Sequence, residues 1–212
     1  MPRPTTPLLS KTGIRAAALE IIDRDGLDGF SMRKLATALS VSAPALYFHY
    51  PTKEQLLDDV ASEIMEQVDV SAFAEGWREG LLGWARSYRA ALAAHPNIVP
   101  FLAHGPGQRD ASLRRADAVH GGLVAAGWPA RDATMIGAST KYLVVGAAMG
   151  SFSRGFVDDV QVYLERYPAL GDAHRLREHA DAVDRDSFEF ALVTFVDGLA
   201  ARLARSGPPP VH

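Results

Sequence analysis

Apolar positions recur at three- and four-residue spacing along almost the whole 212-residue chain, so the pattern predicts helix nearly throughout. The first helix is expected from near Ser10 to about Asp25, with Ile14, Ala17, Ala18, Ile21 and Ile22 on one face and Gly26 as its stop. A second starts at Ser31, a good N-cap, and carries Leu35, Ala36 and Leu39 as its apolar stripe. Ser40-Val41-Ser42 is too short for anything but a turn. Ser42 then caps a third helix that holds Pro44 in its tolerant first turn. Ala36 is small where the two helices cross, and Val41 and Leu46 close the little core between them. Ser40 stands where many such turns place a glycine, so a left-handed backbone there would strain it. Two short helices joined this way spell a helix-turn-helix.

Thr52 opens a fourth helix with a Thr-x-x-Gln box ending at Gln55. Leu56, Leu57, Val60, Ile64 and Val68 face inward along it, and neither Gly nor Pro interrupts Lys53 to Val70, so it is the expected connector between two parts of the chain. Helical spacing continues over about 72–94 through Trp77, Leu81, Trp84, Tyr88 and Leu92, until His95-Pro96 breaks it. A short helix fits Ile98 to Ala103, then a Gly-Pro-Gly loop at 105–107. Asp110 to Ala126 is helical and ends at Gly127; Pro129 starts another helix running to about Phe152. That helix is apolar on several sides, which predicts burial all round and a partner subunit to provide it. Residues 153–184 are polar and irregular, with one short helix before Tyr167-Pro168. The last helix, about Arg185 to Arg205, places Phe188, Leu192, Phe195 and Leu199 on one stripe.

Tyr47, Phe48, His49 and Tyr50 are consecutive, and four consecutive helical residues cannot all face one core. Around this cluster, residues 10–57 resemble the DNA-binding domain of the tetracycline-repressor (TetR) family of transcriptional regulators. The likeness lies in Ala17 to Ile22, the Gly26-Leu27-x-Gly29-Phe30-Ser31 entry, Arg33-Lys34-Leu35-Ala36, Leu46-Tyr47-x-His49, and Lys53-x-x-Leu56-Leu57. The remainder resembles the ligand-binding domain of the tetracycline-repressor branch less specifically. It does so through Trp77 with Arg86-Ser87-Tyr88-Arg89-Ala90, the Ala126-Gly127-Trp128 corner, Phe188-Glu189-Phe190-Ala191 and Asp197-Gly198-Leu199. The resemblance implies an all-α protein: a three-helix DNA-binding domain over 1–56, with the connecting helix from 53, and a helical effector-binding and dimerisation domain over 57–212.

Charge agrees with that division. Residues 1–56 hold seven Lys or Arg against five Asp or Glu, and the rest fifteen against twenty, although the whole chain carries a net charge of −3. The chain has no cysteine, which excludes disulfides and thiolate metal sites. No apolar run fits a signal peptide or a membrane span, so a cytoplasmic protein is expected. A Gly-x-Ser-x-Gly, P-loop, dinucleotide fingerprint or His-Glu-x-x-His is missing too, and the expected protein is not an enzyme and has no cofactor.

The resemblance implies roles for particular residues. Arg33 would reach a base edge, where a guanidinium fork can take guanine O6 and N7 together; a phosphate contact or a surface ion pair is the equal alternative. Tyr47, His49 and Lys53 match residues that hold the phosphate backbone. Ser42, Ala43, Pro44, Ala45 and Phe48 complete the expected DNA-facing set. Ala43 and Ala45 stand where the tetracycline repressor has hydrogen-bonding side chains, and can offer only apolar contact to thymine methyls. Candidates for an effector cavity are Trp84, Tyr88, Phe101, His104, Met135, Ser139 and Tyr142, although residues of these types at such positions are more often plain packing, or in the case of His104 a surface histidine. Tyr142 and Gly150 stand where the tetracycline repressor has metal-site residues, so magnesium–tetracycline is a poor fit and no metal site is expected. Phe188, Leu192, Phe195 and Leu199 would face a second copy in a four-helix dimer bundle, or else form the monomer's own core. The expected function is a homodimeric repressor that leaves palindromic operator DNA when a small hydrophobic effector binds. The alternatives are a ligand-independent regulator and a helical module without operator activity.

Overall fold

Hydroxyl caps set where the first helices begin. The computed structural model describes residues 9–103 and 110–206, and among them no strand occurs. α1 (Lys11–Asp25) follows Ser10, whose Oγ accepts the Gly13 N–H at 3.1 Å. α2 (Met32–Ala38) follows Ser31, whose Oγ accepts the Lys34 N–H at 3.2 Å. α4 (Lys53–Met65) follows Thr52, whose Oγ1 accepts the Gln55 N–H at 3.1 Å. α3 (Ala43–His49) corrects the expectation for its cap. Ser42 holds the N-cap position, but its hydroxyl makes no capping bond. An N-cap side chain accepts from the second or third helical residue. The second here is Pro44, which has no N–H, and the Ala45 N–H is already taken by the Ser42 carbonyl at 3.0 Å. In the turn before it, Ser40 has φ +54°, the left-handed conformation that a side chain resists.

The chain divides into two units, each described separately: Met1–Gln67 with Ala94–Leu113, and Val68–Ala93 with Arg114–His212. The division expected after residue 56 separated α4 from the helix-turn-helix. Instead α4 packs on α1 and joins the first unit, because Leu56, Val60 and Ile64 share its core with Ile14, Ile22, Leu35 and Leu46. A polar network ties the same helices together. Arg15 of α1 donates to Glu63 of α4 at 2.7 Å and to the Tyr50 hydroxyl at 3.4 Å, and that hydroxyl donates to Asp59 of α4 at 3.0 Å. Glu63, then Tyr50, raise the Arg15 pKa, while burial is the first cause raising that of Tyr50. The 3₁₀ turn Pro96–Ile98 and α6 (Val99–Leu102) complete this unit. Asn97 Nδ2 donates to the Ile22 and Asp23 carbonyls at 3.1 and 2.8 Å, and His95 pairs with Asp23 at 2.8 Å.

α4 ends five residues before the expected Val70. The Asp69 carboxylate accepts both the backbone N–H and the hydroxyl of Ser71, at 2.8 and 3.1 Å, offering the backbone a turn in place of helix. In the second unit Arg115 donates to the Val68 carbonyl at 2.9 Å, and Ser87 accepts the Asp69 N–H at 3.0 Å. Phe73 then lies between Gly80 and Gly122, where a Cβ on either glycine would come within 2.4 Å of its ring. Those two positions must be glycine for the ring to sit there.

The second unit contains α5 (Trp77–Ala94) up to Ala93, α7 (Asp110–Ala125) from Arg114, α8 (Ala130–Ala148), α9 (Val160–Arg166) and α10 (Ala180–Ser206). α10 packs on α8, and carboxylates of α10 pair with arginines of α5: Glu189 with Arg86, and Asp197 with Arg78 at 2.6 Å. Within the single chain α8 buries Ala133, Ile136, Thr140 and Val144 and leaves Met135, Tyr142 and Met149 exposed, apolar positions for which the sequence expects a partner subunit. One expectation changes. On α10, Phe188, Leu192 and Leu199 lie in the chain's own core and Phe195 is half-buried, so they do not form the outward stripe. The outward apolar side chains of α10 are Phe190, 76% exposed, and Val193. Phe188 and Phe190 are two residues apart, which on a helix places them on opposite sides.

Two substitutions test this account of the first unit. Tyr50→Phe removes the hydroxyl between Arg15 and Asp59, and urea unfolding should show a loss of about 1–2 kcal/mol. Ser40→Gly relieves the left-handed serine, and the same measurement should show a gain of roughly 0.5–1 kcal/mol. An unchanged midpoint for both would contradict the network and the strain.

Candidate nucleic-acid interface

Only seven residues make up α3, and what it buries decides what it can present. Leu46 is fully buried against the first unit's core, and Tyr50, just past the helix end, is buried beside it. Helical geometry then turns Pro44, Tyr47 and Phe48 outward. Phe48 is 85% exposed, Tyr47 is 47% exposed, and Pro44 and Ser42 are exposed; Ala43, Ala45 and His49 are half-buried. The Phe48 ring meets His49 edge-on, with centroids 5.7 Å apart. The consecutive aromatics are thus divided as the sequence requires, Tyr50 inward and Phe48 outward.

The basic side chains near this face are not equivalent. Lys34 is committed: its Nζ lies 2.7 Å from Asp25 and donates to the Gly29 carbonyl at 3.1 Å. Arg24, then Lys34, hold the Asp25 carboxyl well below the usual carboxylate range. Lys53 Nζ donates to the Phe30 carbonyl at 3.1 Å and lies 5.3 Å from the Phe30 ring centroid, so it fastens the start of α4 to the entry of α2. An ammonium has two further donors for a phosphate. Arg33 is exposed in the first turn of α2, and its guanidinium makes no hydrogen bond or ion pair among the described residues. It borders a shallow concavity lined by Ser31, Arg33, Lys34, Thr37 and Ala38. The structural roles of Lys34 and Tyr50 were not foreseen from sequence. Only the nearness of Asp25 to Lys34 after the turn hinted at the first.

The effector candidates do not gather as one set. Trp84 and Tyr88 are buried neighbours on α5 in the second unit, their rings stacked at 6.2 Å with 29° between planes. Phe101 is half-buried in the first unit. Met135, Ser139 and Tyr142 are exposed on the side of α8 away from Ile136 and Thr140, because spacings of four and three keep them on one outward face. This corrects their placement in a buried cavity lining. His104 and the Gly-Pro-Gly loop lie outside the described residues. Among the described residues no cluster of His, Asp and Glu could hold a metal ion, and no helix is long and apolar enough to cross a membrane.

A helix-turn-helix with an unpaired arginine beside an outward-facing third helix defines a DNA-binding regulatory protein. Residues 14–60 match the family model of bacterial regulatory proteins of the tetR family, and residues 72–203 match the tetracyclin repressor-like C-terminal domain. The chain is similar to the tetracycline repressor protein class A from transposon 1721 of Escherichia coli, with 35% identity over 93% of both chains. It is also similar to the solved structure of the Streptomyces coelicolor TetR family protein ActR in complex with actinorhodin. That match has a TM-score of 0.71 and 26% identity over 91% of this chain and 97% of that one. A third likeness is to BioQ with its natural double-stranded DNA operator, at TM-score 0.59 and 28% identity over 91% of this chain and 99% of that one. The chain belongs to the TetR family of transcriptional regulators, and it is a DNA-binding regulator, not an enzyme.

Arg33→Ala should lower affinity for a selected duplex on the order of tenfold and relax preference at one base pair per half-site. Lys53→Ala should weaken all duplexes about equally, lower the salt slope by about one unit, and lower the melting temperature because the Phe30 carbonyl loses its donor. Fluorescence anisotropy at several salt concentrations measures both. Parent-like binding by the two variants would contradict this docking.

Proposed function

We propose that the chain is a homodimeric transcriptional repressor that places α3 of each copy in the major groove of a palindromic operator. A small hydrophobic effector, taken up by the C-terminal part, releases it. The observation that carries the reading is an Arg33 guanidinium with no hydrogen bond or ion pair among the described residues, in a helix-turn-helix whose α3 leaves Tyr47 and Phe48 exposed. Support for the DNA arm comes from the likeness to BioQ with its operator, and for the effector arm from the likeness to ActR with actinorhodin. The match of residues 14–60 supports the DNA-binding role, and the match of 72–203 to the tetracyclin repressor-like C-terminal domain supports placing effector uptake there. Trp84 and Tyr88 are the candidates for stacking on a flat effector.

A second copy accounts for the outer faces of α8 and α10. Tyr142 is 75% exposed, and Met149, Phe190 and Val193 join it as outward apolar side chains. Two-fold pairing would cover the same faces on both copies and impose two-fold symmetry on the DNA site. Transmission would run through the end of α4. The effector can release DNA only by binding the DNA-incompetent arrangement more tightly, and DNA must then weaken effector binding by the same factor.

Phe190→Asp should shift sedimentation equilibrium at micromolar concentration from dimer to monomer and abolish tight binding to a two-half-site duplex, while leaving the helical circular-dichroism signal. A dimer retained in that variant would overturn the proposed interface. Two glycines inserted between Gln67 and Val68, where the chain passes from one unit to the other, should leave folding intact yet remove any effector's ability to release DNA. Release by a compound that acts equally on the parent and on this variant would contradict transmission through α4.

A further inference from the structure

We propose that α3 reads DNA chiefly through thymine 5-methyl groups, with Phe48, Pro44 and Ala45 as the readers and Arg33 adding a guanine contact at the edge. The inference rests on the docking of α3 in the major groove and adds which base chemistry it selects. Pro44 and Phe48 are one helical turn apart, so they stand in line on the side opposite the buried Leu46. Phe48 is 85% exposed, and a phenyl ring in that position forgoes burial without gaining any polar contact. It can neither donate to a phosphate nor accept from a base, so a role in holding the backbone by hydrogen bonds is closed to it. Its edge-on contact with His49 gives the ring a support within α3. Pro44 has neither a polar side chain nor a backbone N–H, and Ala45 offers only a methyl group.

The hydrogen-bonding groups lie at the margins of this ridge. The Ser42 hydroxyl is at the start of α3 and the Tyr47 hydroxyl is to one side. Lys34 and Lys53 are engaged with Asp25, Gly29 and Phe30, which leaves the unpaired Arg33 as the cation for a base edge. In the major groove the apolar feature that distinguishes bases is the thymine methyl. An apolar ridge therefore selects A·T pairs in the orientation that presents those methyls, and Arg33 selects a neighbouring guanine.

The test uses the full chain and a duplex enriched from a random library by repeated rounds of binding. Each thymine is then replaced by uracil, which removes the methyl and leaves base pairing intact. At two or more positions per half-site, uracil should weaken binding roughly fourfold, the effect of burying one methyl-sized group. Phe48→Ala, at an exposed site where folding is not at stake, should abolish the uracil effect at one of those positions and preserve it at the others. That crossed comparison isolates the contact from any change in DNA shape. A fully uracil-substituted duplex bound within about twofold of the parent would overturn the proposal. So would uracil sensitivity unchanged by Phe48→Ala, which would place the ring elsewhere, as on a protein partner. Failure to enrich any duplex would overturn the DNA docking itself, and this inference with it.

Discussion

Everything proposed for DNA depends on how a seven-residue helix is held. A helix this short has no stability of its own in water, so tertiary contacts must fix both its existence and its orientation. Leu46 supplies the apolar anchor on one side of α3, and Tyr50 supplies the polar anchor at its end through Arg15 and Asp59. Because Glu63 and Asp59 both lie on α4, the same network that orients α3 also sets α4 against α1. The outward direction of Phe48 and Pro44 follows from these buried groups, not from any property of the exposed side chains.

The same logic governs how the first unit connects to the second. α4 stops at Met65, and the chain leaves the first unit at Gln67. On the far side it is immediately fastened: Val68 by Arg115, Asp69 by Ser87, and Phe73 in the notch between Gly80 and Gly122. At the next crossing, after Ala93, Asn97 and His95 fasten the returning chain to the end of α1. Two of the three crossings are therefore anchored, each within its own unit, a few residues from the passage.

Local chemistry made much of the fold legible in advance. Ser10, Ser31 and Thr52 cap their helices because each hydroxyl meets a free first-turn N–H, and Ser40 takes the left-handed conformation in the position where such turns place a glycine. What spacing could not supply is the identity of the neighbour. A stripe at i, i+3, i+4 marks a face, but nothing in it says whether its own chain or a second copy covers that face; of the two readings left open for Phe188 and Leu192, the chain's own core is where they lie. The same gap misplaced Met135, Ser139 and Tyr142, which face outward on α8. The end of α4 was missed because no glycine or proline announces the stop at Met65, and the turn bonds of Asp69 to Ser71 begin only beyond it. The pairing of Lys34 and Lys53 was hidden because a lysine's partners depend on tertiary packing.

The central claim is that α3 and Arg33 enter the major groove together. Guanine N7 lies on the major-groove edge and adenine N3 on the minor-groove edge, so dimethyl sulfate reactivity of a bound duplex separates the two. The account predicts that one guanine N7 per half-site is protected by the parent protein and becomes reactive again with Arg33→Ala, while adenine N3 reactivity is unchanged. Protection confined to adenine N3, or guanine protection that survives Arg33→Ala, would contradict it.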